Sequence, residues 1–497
     1  MKQSVPAGEH RHSTRRALLT RPEWVILLCL FSVAPFLLTF WVHGDGIGYV
    51  ACLRSAVVER NLDLSDEFGY LASHIQADAW GLPARFLSRS SHRPGIDSTF
   101  HTPRPDPVTG RVPSYFSVGP PIAWAPAYLA AHGWMLLRGG TGTAERADGY
   151  GGLYYLAIAL SSLAFGAAGL LLAYRFAVLA APRREALWAV LTMAWASPLL
   201  YYLYLAPSYG HALTTLTSGA FFLYWWRTRH ADRVATWFRW GLLAGVLFLV
   251  RWNDVVLTVP VFAVEASRLL KGNGTRSTGA SVRLLLACVS AAGLGLILTA
   301  APQFGAWQYF HGRPWVRYPV DYIDFTPGGW WGTLFSSRHG LFVWTPVTLL
   351  AVAGLFRLFR RDRELAGVCL AALLLLVASN GTVRDWWGGA SFGMRRLISG
   401  TPLFALGLAV FLDDVRLALA HRAPRQVEGA GAPAARTGPR LLAPLACFGF
   451  SAWNLLLLAQ YALGMISHSG PVSLASIAAN QPGVVVRLVR LVGEVLK

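Results

Sequence analysis

Long apolar runs set against short basic ones give the 497-residue chain its pattern. Apolar stretches begin near positions 23, 152, 186, 208, 284, 341, 365, 397 and 441, and most approach the ~20 residues that a helix needs to cross ~30 Å of hydrocarbon. Between 240 and 264 two further runs are interrupted by Arg251-Trp252-Asn253-Asp254, a sequence too polar to face lipid. This interruption predicts a helical pair with a polar tip. Residues 120–137 are apolar as well, but Pro120, Pro121, Pro126 and His132 favour an interfacial or re-entrant helix over a full span.

Composition agrees with this pattern. Apolar residues make up 54% of the chain and charged residues 14%, against roughly 45–50% and 25% in soluble domains. A single soluble domain is excluded. Twenty tryptophans suit helices that end in the headgroup layer. Cys29, Cys52, Cys288, Cys369 and Cys447 are too scattered for a disulfide framework or a zinc knuckle.

The net charge of +19 fits nucleic acid, a membrane surface or a topology signal, and the distribution decides among these. Six stretches (1–22, 181–186, 227–239, 265–283, 357–364 and 413–440) hold 24 of the 44 Lys and Arg. Short basic loops stay in the cytoplasm, so nucleic acid drops out. Keeping all six on one side requires an even number of crossings between neighbours, which removes 120–137 from the count. About eleven transmembrane helices follow, with the N-terminus inside and the C-terminus outside. The side of the C-terminal tail is the least constrained.

The expected organisation is an all-α polytopic membrane protein. It comprises a cytoplasmic tail (1–22, with Lys2, Arg11, Arg15 and Arg16), a first span (23–42), and a periplasmic loop (43–151) that includes the helix at 120–137. A transmembrane core (152–412) with outer loops 304–340 and 380–396 comes next. A cytoplasmic linker (413–440), a last span (441–463) and a tail (464–497) complete the chain. Val484–Lys497 reads as an amphipathic surface helix. Asn273-Gly274-Thr275 and Asn380-Gly381-Thr382 match the glycosylation sequon only weakly, and the first is expected inside.

On this topology the unusual polar residues gather on the outer side. His43-Gly44-Asp45-Gly46-Ile47-Gly48-Tyr49 follows the first span, with glycines that would allow a substrate to approach closely. Tyr201-Tyr202-Leu203-Tyr204 and His211 flank a Pro-Ser-Tyr-Gly turn. Arg338-His339 ends one outer loop. Arg384-Asp385-Trp386-Trp387, a glycine-rich stretch and Arg395-Arg396 make another.

These residues carry a resemblance. The sequence resembles the C-type (GT-C) superfamily of polyprenyl-phosphate-sugar-dependent glycosyltransferases, near the bacterial lipid A aminoarabinose transferases and protein O-mannosyltransferases. The matching pieces are GDGIGYV (44–50), NLDLSDEF (61–68), SYFSVGPPIAWAPAYLAAH (114–132), SPLLYYLYLAPSYGHA (197–212), GLLAGVLFLVRWND (241–254), LFSSRHGLFVWTP (334–346) and WWGGASFGMRRLISGTPLF (386–404). The resemblance implies a multi-pass enzyme of the bacterial inner membrane with its site facing the periplasm. Such an enzyme would move a sugar from a polyprenyl-phosphate carrier to a glycolipid or cell-envelope glycan such as lipopolysaccharide. It also implies that Asp45 is the acidic catalytic residue, although Gly46 stands where many relatives have a second carboxylate.

In that chemistry Asp45 is the base, and a single displacement inverts the anomeric carbon. Arg338, Arg395, Arg396, Arg384 and Arg251 are candidates for the donor phosphate, because a guanidinium fork binds two oxygens and keeps its charge. For Arg251 an internal ion pair with Asp254 competes with that role. Tyr49, His211, Tyr202, His339, Trp386 and Trp387 are candidates for substrate contact. Asp63, Asp66 and Glu67 suit loop capping, and Asp66 and Glu67 are the weak candidates for a metal. No cofactor is certain, and a divalent cation is left open. A protein O-mannosyltransferase shares the chemistry. A transporter or lipid flippase is the rival from another class, opposed by the lack of a repeat and the one-sided polar residues.

Overall fold

The computed structural model describes residues 19–74, 81, 83, 103–138, 146–271, 276–316, 322–325, 327–422 and 438–495. Residues 1–18 of the basic N-terminal tail, residues 423–437 of the linker, the Asn273 sequon and Lys497 lie outside the described residues. Among those described the architecture is all-helical, and the only β-type pairing is a single antiparallel bridge between Ile323 and Val383.

Among the described residues four helices are long and apolar enough to cross a membrane: Gly152–Ala177, Thr278–His311, Arg363–Gly381 and Leu441–Ala462. The other expected crossings are shorter or interrupted, and proline accounts for several of the breaks. The first helix, α1 (Arg21–Phe31), stops before Pro35; a short turn at Ala34–Leu37 follows, and the chain then runs extended to Gly44. Helix α2 is Asp45–Arg54, α3 Ser65–His74, α4 Gly119–Leu137 and α5 Gly152–Ala177. Pro198 separates α6 (Arg183–Trp195) from α7 (Leu199–Tyr204), and α8 is His211–Thr228.

The expected helical pair is α9 (Val234–Val250) and α10 (Val259–Lys271), joined by a 3₁₀ turn over Trp252–Thr258. Helix α11 (Thr278–His311), α12 (Pro327–Phe335), α13 (Val347–Leu358) and α14 (Arg363–Gly381) follow. A 3₁₀ turn at Arg395–Gly400 leads into α15 (Thr401–Arg422), and α16 (Gly438–Ala462) and α17 (Leu474–Val495) end the chain.

Packing between the long helices relies on small residues, which let backbones approach where lipid supplies no hydrophobic drive. A Cβ on Gly241 of α9 would lie 2.0 Å from the Ala292 carbonyl of α11, and one on Gly354 of α13 would lie 1.8 Å from the Gly407 carbonyl of α15. Either change would force the helices apart.

Two apolar cores result. The larger joins α1, α5 to α11 and α13 to α17. The smaller is built from the segment between α1 and α5, with Ile47 and Val50 of α2, Phe68 of α3, and Trp124 and Tyr128 of α4 packed on Tyr154 and Ile158 of α5. The described part of the loop after α1 is thus a packed unit standing on the helix bundle, and it holds Asp45 against residues of the bundle.

A candidate active site around Asp45

The stretch that delivers Asp45 is pinned along its length. Thr39 donates from its amide to the Tyr204 carbonyl at 2.8 Å and from its hydroxyl to the Leu205 carbonyl at 2.9 Å, so the extended segment is tied to the end of α7. Gly44 then turns with φ of +52°, and a Cβ there would sit 1.9 Å from the Tyr209 hydroxyl. No other residue fits that turn. The space beside Gly46 and Gly48 is taken by Ser208 and Phe116, so these glycines admit protein side chains rather than substrate.

Asp45 begins α2, where the helix dipole favours a negative charge. Its carboxylate accepts from Arg395, with Nη1 to Oδ2 at 2.7 Å and Nη2 to Oδ1 at 3.2 Å. This is the bidentate fork in which guanidinium and carboxylate match best. The Arg395 side chain is 11% exposed and that of Asp45 30%. Arg395 also lies 5.2 Å from the Tyr209 ring centroid, and its Nε is buried without a hydrogen-bond partner.

Beside the pair opens a cavity of about 230 Å³ whose lining includes Asp45, Tyr49, His211, Arg251, Arg395 and Arg396. Arg396 donates to Asp385 at 2.6 Å. Arg251 comes from the polar tip after α9; it stands 3.5 Å from Asp254 and donates to the Arg396 carbonyl at 3.0 Å. The internal pair expected for Arg251 is therefore present, and the same residue reaches the cavity. Three of the five candidate arginines meet here, together with Asp45, Tyr49 and His211.

The other candidates lie off the cavity lining. Arg338 stacks on Trp387, 3.5 Å from the ring centroid, and its Nε donates to the Ser469 carbonyl in the C-terminal tail. Arg384 is exposed, and its amide donates to the Tyr322 carbonyl. His339 is buried, with Nδ1 2.9 Å from the Trp387 carbonyl. Tyr202 packs edge-on against His211 at 4.5 Å, behind the lining. Trp386 fills the space beside Gly332.

Several lining residues escaped the reading of the sequence: Tyr115, Phe116, Ser117, Asn253, Tyr322 and Asp385. The first three belong to the SYFS stretch and Asn253 to the polar tip, so both motifs carried a signal. Tyr322 stands alone in its loop and gave none.

Asp63 caps the start of α3, its Oδ1 accepting from the Ser65 amide at 3.1 Å and the Ser65 hydroxyl at 2.7 Å. Glu59, Asp66 and Glu67 bring carboxylate oxygens within 4.8 Å of one another, a grouping that could hold a cation. Arg54 already answers part of that charge, pairing with Glu59 and, at 3.0 Å, with Glu67. Glu67 is fully buried outside the membrane-spanning segments. Burial, reinforced by Asp66 and Glu59, pushes its carboxyl up to about 8. None of the three carboxylates lines the cavity.

No family model matches the chain, and no match is found among curated proteins. Among solved structures the chain is similar to ArnT from Cupriavidus metallidurans in the apo state, at 14% identity and a TM-score of 0.40, over 94% of this chain and 74% of that one. At that level the likeness does not reach to function.

Proposed function

We propose that the protein is a membrane glycosyltransferase that takes a sugar from a polyprenyl-phosphate carrier and transfers it to a hydroxyl of a glycolipid or envelope glycan at the outer face of the inner membrane. The observation that carries this reading is one cavity bordered by three guanidiniums, those of Arg251, Arg395 and Arg396, and two carboxylates, of which Asp45 begins a helix and Asp385 is held by Arg396. The order of motifs along the sequence supports it independently.

In this reading the acceptor oxygen attacks the anomeric carbon as the bond from that carbon to the phosphate oxygen breaks. The bonding pair leaves with the phosphate. The hydroxyl proton passes to Asp45, and the arginines meet the charge that develops on the leaving group. Phosphate leaves without needing an acid, so one carboxylate suffices, and attack from the opposite face inverts the centre. His211, Tyr49, Ser117 and Asn253 offer the polar contacts that would orient the sugar and the acceptor.

Mass spectrometry of lipid-linked sugars and envelope glycans in wild-type and deletion cells tests the reading. The expected result is loss of one glycan unit together with accumulation of its polyprenyl-phosphate donor. Identical profiles in the two strains would overturn it.

A further inference from the structure

Asp45 has both carboxylate oxygens committed to Arg395, and a carboxylate held so is a poor acceptor for a hydroxyl proton. The guanidinium that occupies it is one of three that border the cavity. The other two also have partners: Arg396 holds Asp385, and Arg251 holds the Arg396 carbonyl. An arriving phosphate therefore meets no idle cation. Arg395 is the arginine best placed to change partner, because its Nε is buried with a donor unused and the Tyr209 ring supports it from one side. The turn that carries it follows Gly388, Gly389 and Gly393, all at positive φ.

We propose that Arg395 is a latch: in the resting protein it holds Asp45 inactive, and the phosphate of the lipid-linked donor draws it away and so frees the base. The inference rests on the glycosyltransferase reading and adds to it an order of events, donor before acceptor. One guanidinium then serves twice, first as the stop on the base and then as the partner of the leaving phosphate. Without donor the base stays masked, so an acceptor that enters early is not deprotonated.

The latch has a consequence that a purely catalytic arginine lacks. If Asp45 competes with phosphate for Arg395, removing the Asp45 charge should tighten phosphate-lipid binding even as it abolishes transfer. With Arg395 engaged about nine-tenths of the time, the gain is about tenfold. Loss of a nearby negative charge would also help an anion to bind, so the test is a double-mutant cycle.

Binding of farnesyl phosphate to the purified full-length protein is measured for the wild type, Asp45→Asn, Arg395→Gln and the double variant. Asp45→Ser replaces Asp45→Asn if the latter does not insert. Expected is a Kd about tenfold lower for Asp45→Asn, with the gain absent when Arg395 is Gln. An unchanged or raised Kd in Asp45→Asn overturns the latch, and so does a gain that persists without Arg395. Failure of all four proteins to bind would instead remove the glycosyltransferase reading and the latch with it, so the two failures are distinct.

Discussion

Helix α2 carries an arginine–carboxylate cluster at each end, and the two are built on opposite terms. At its first residue, Asp45 meets one guanidinium, that of Arg395, beside an open cavity. At its last, Arg54 meets two carboxylates, those of Glu59 and Glu67, with Asp66 close by. The first cluster is balanced in charge and can exchange partners with an incoming anion. The second sets three carboxyl groups, of which only Glu67 is buried, around one guanidinium and is locked by its surroundings: Arg54 Nε also donates to the Asp148 carbonyl at 2.8 Å, and the guanidinium lies 4.1 Å from the Tyr150 ring centroid. In the proposed reading, an arginine–carboxylate contact thus serves chemistry at one end of a ten-residue helix and cohesion at the other.

The largest expected effect breaks the chemical end. Asp45→Asn should lower the rate of sugar transfer by about 10²–10⁴-fold, the usual contribution of a general base, in a protein that still inserts and elutes as one species. The check is transfer from a lipid-linked donor in reconstituted membranes, and full activity would remove Asp45 as the base. Breaking the cohesive end should show in stability instead. Arg54→Met removes the hydrogen bonds to Glu59, Glu67 and the Asp148 carbonyl and should cost about 1–3 kcal/mol, read as a lowered unfolding midpoint in detergent. An unchanged midpoint would mean that the cluster is not holding the segment after α1 in place.

The second cluster also predicts a pH dependence. Folded Glu67 keeps its proton up to about 8, whereas the unfolded residue loses it near 4.5. Between those values the folded state binds more protons, so stability should fall as the pH rises and should be greatest at the acid end. Glu67→Gln imitates the protonated form and should flatten this slope, leaving the variant more stable than wild type above pH 8 and close to it near pH 5. Melting curves across that range decide the matter, and parallel slopes for the two proteins would contradict it.

The contrast between the two ends was only half legible in the sequence. Asp45, Arg251, Arg395 and Arg396 stand out because each is a charge at the edge of an apolar run, where burial makes charges costly and function makes them worthwhile. The polar tip between α9 and α10 was legible for the same reason. The pairing was not, since Asp45 and Arg395 are 350 residues apart and only the packing of the segment after α1 onto the bundle brings them together. The break in α1 was hidden too: Pro35 marks the place, but the extended course to Gly44 depends on the hydrogen bonds from Thr39 to α7. The glycines around Asp45 were read as room for substrate, and the side chains that fill that room come from distant segments.

Arg338 gives the smallest expected effect and the sharpest test of which arginines belong to the site. By sequence it equals Arg395: both are loop arginines beside glycine and aromatic residues, on the same expected side. In the structure, Arg338 turns from the cavity to the C-terminal tail, where it is sandwiched between the Trp387 ring and the Ser469 carbonyl. The amides of Ser391 and Val472 donate to the His468 and Ser337 carbonyls at 3.2 and 3.3 Å, so the tail laces the loop of Ser337 to the one that leads into Arg395. Arg338→Gln should therefore cost about 1 kcal/mol of stability, through the lost stacking and hydrogen bond, and leave the Kd for farnesyl phosphate unchanged. Arg395→Gln should weaken that binding. If Arg338→Gln weakens it equally, Arg338 reaches the phosphate in the loaded protein, and the division between a lining arginine and a clamping one fails.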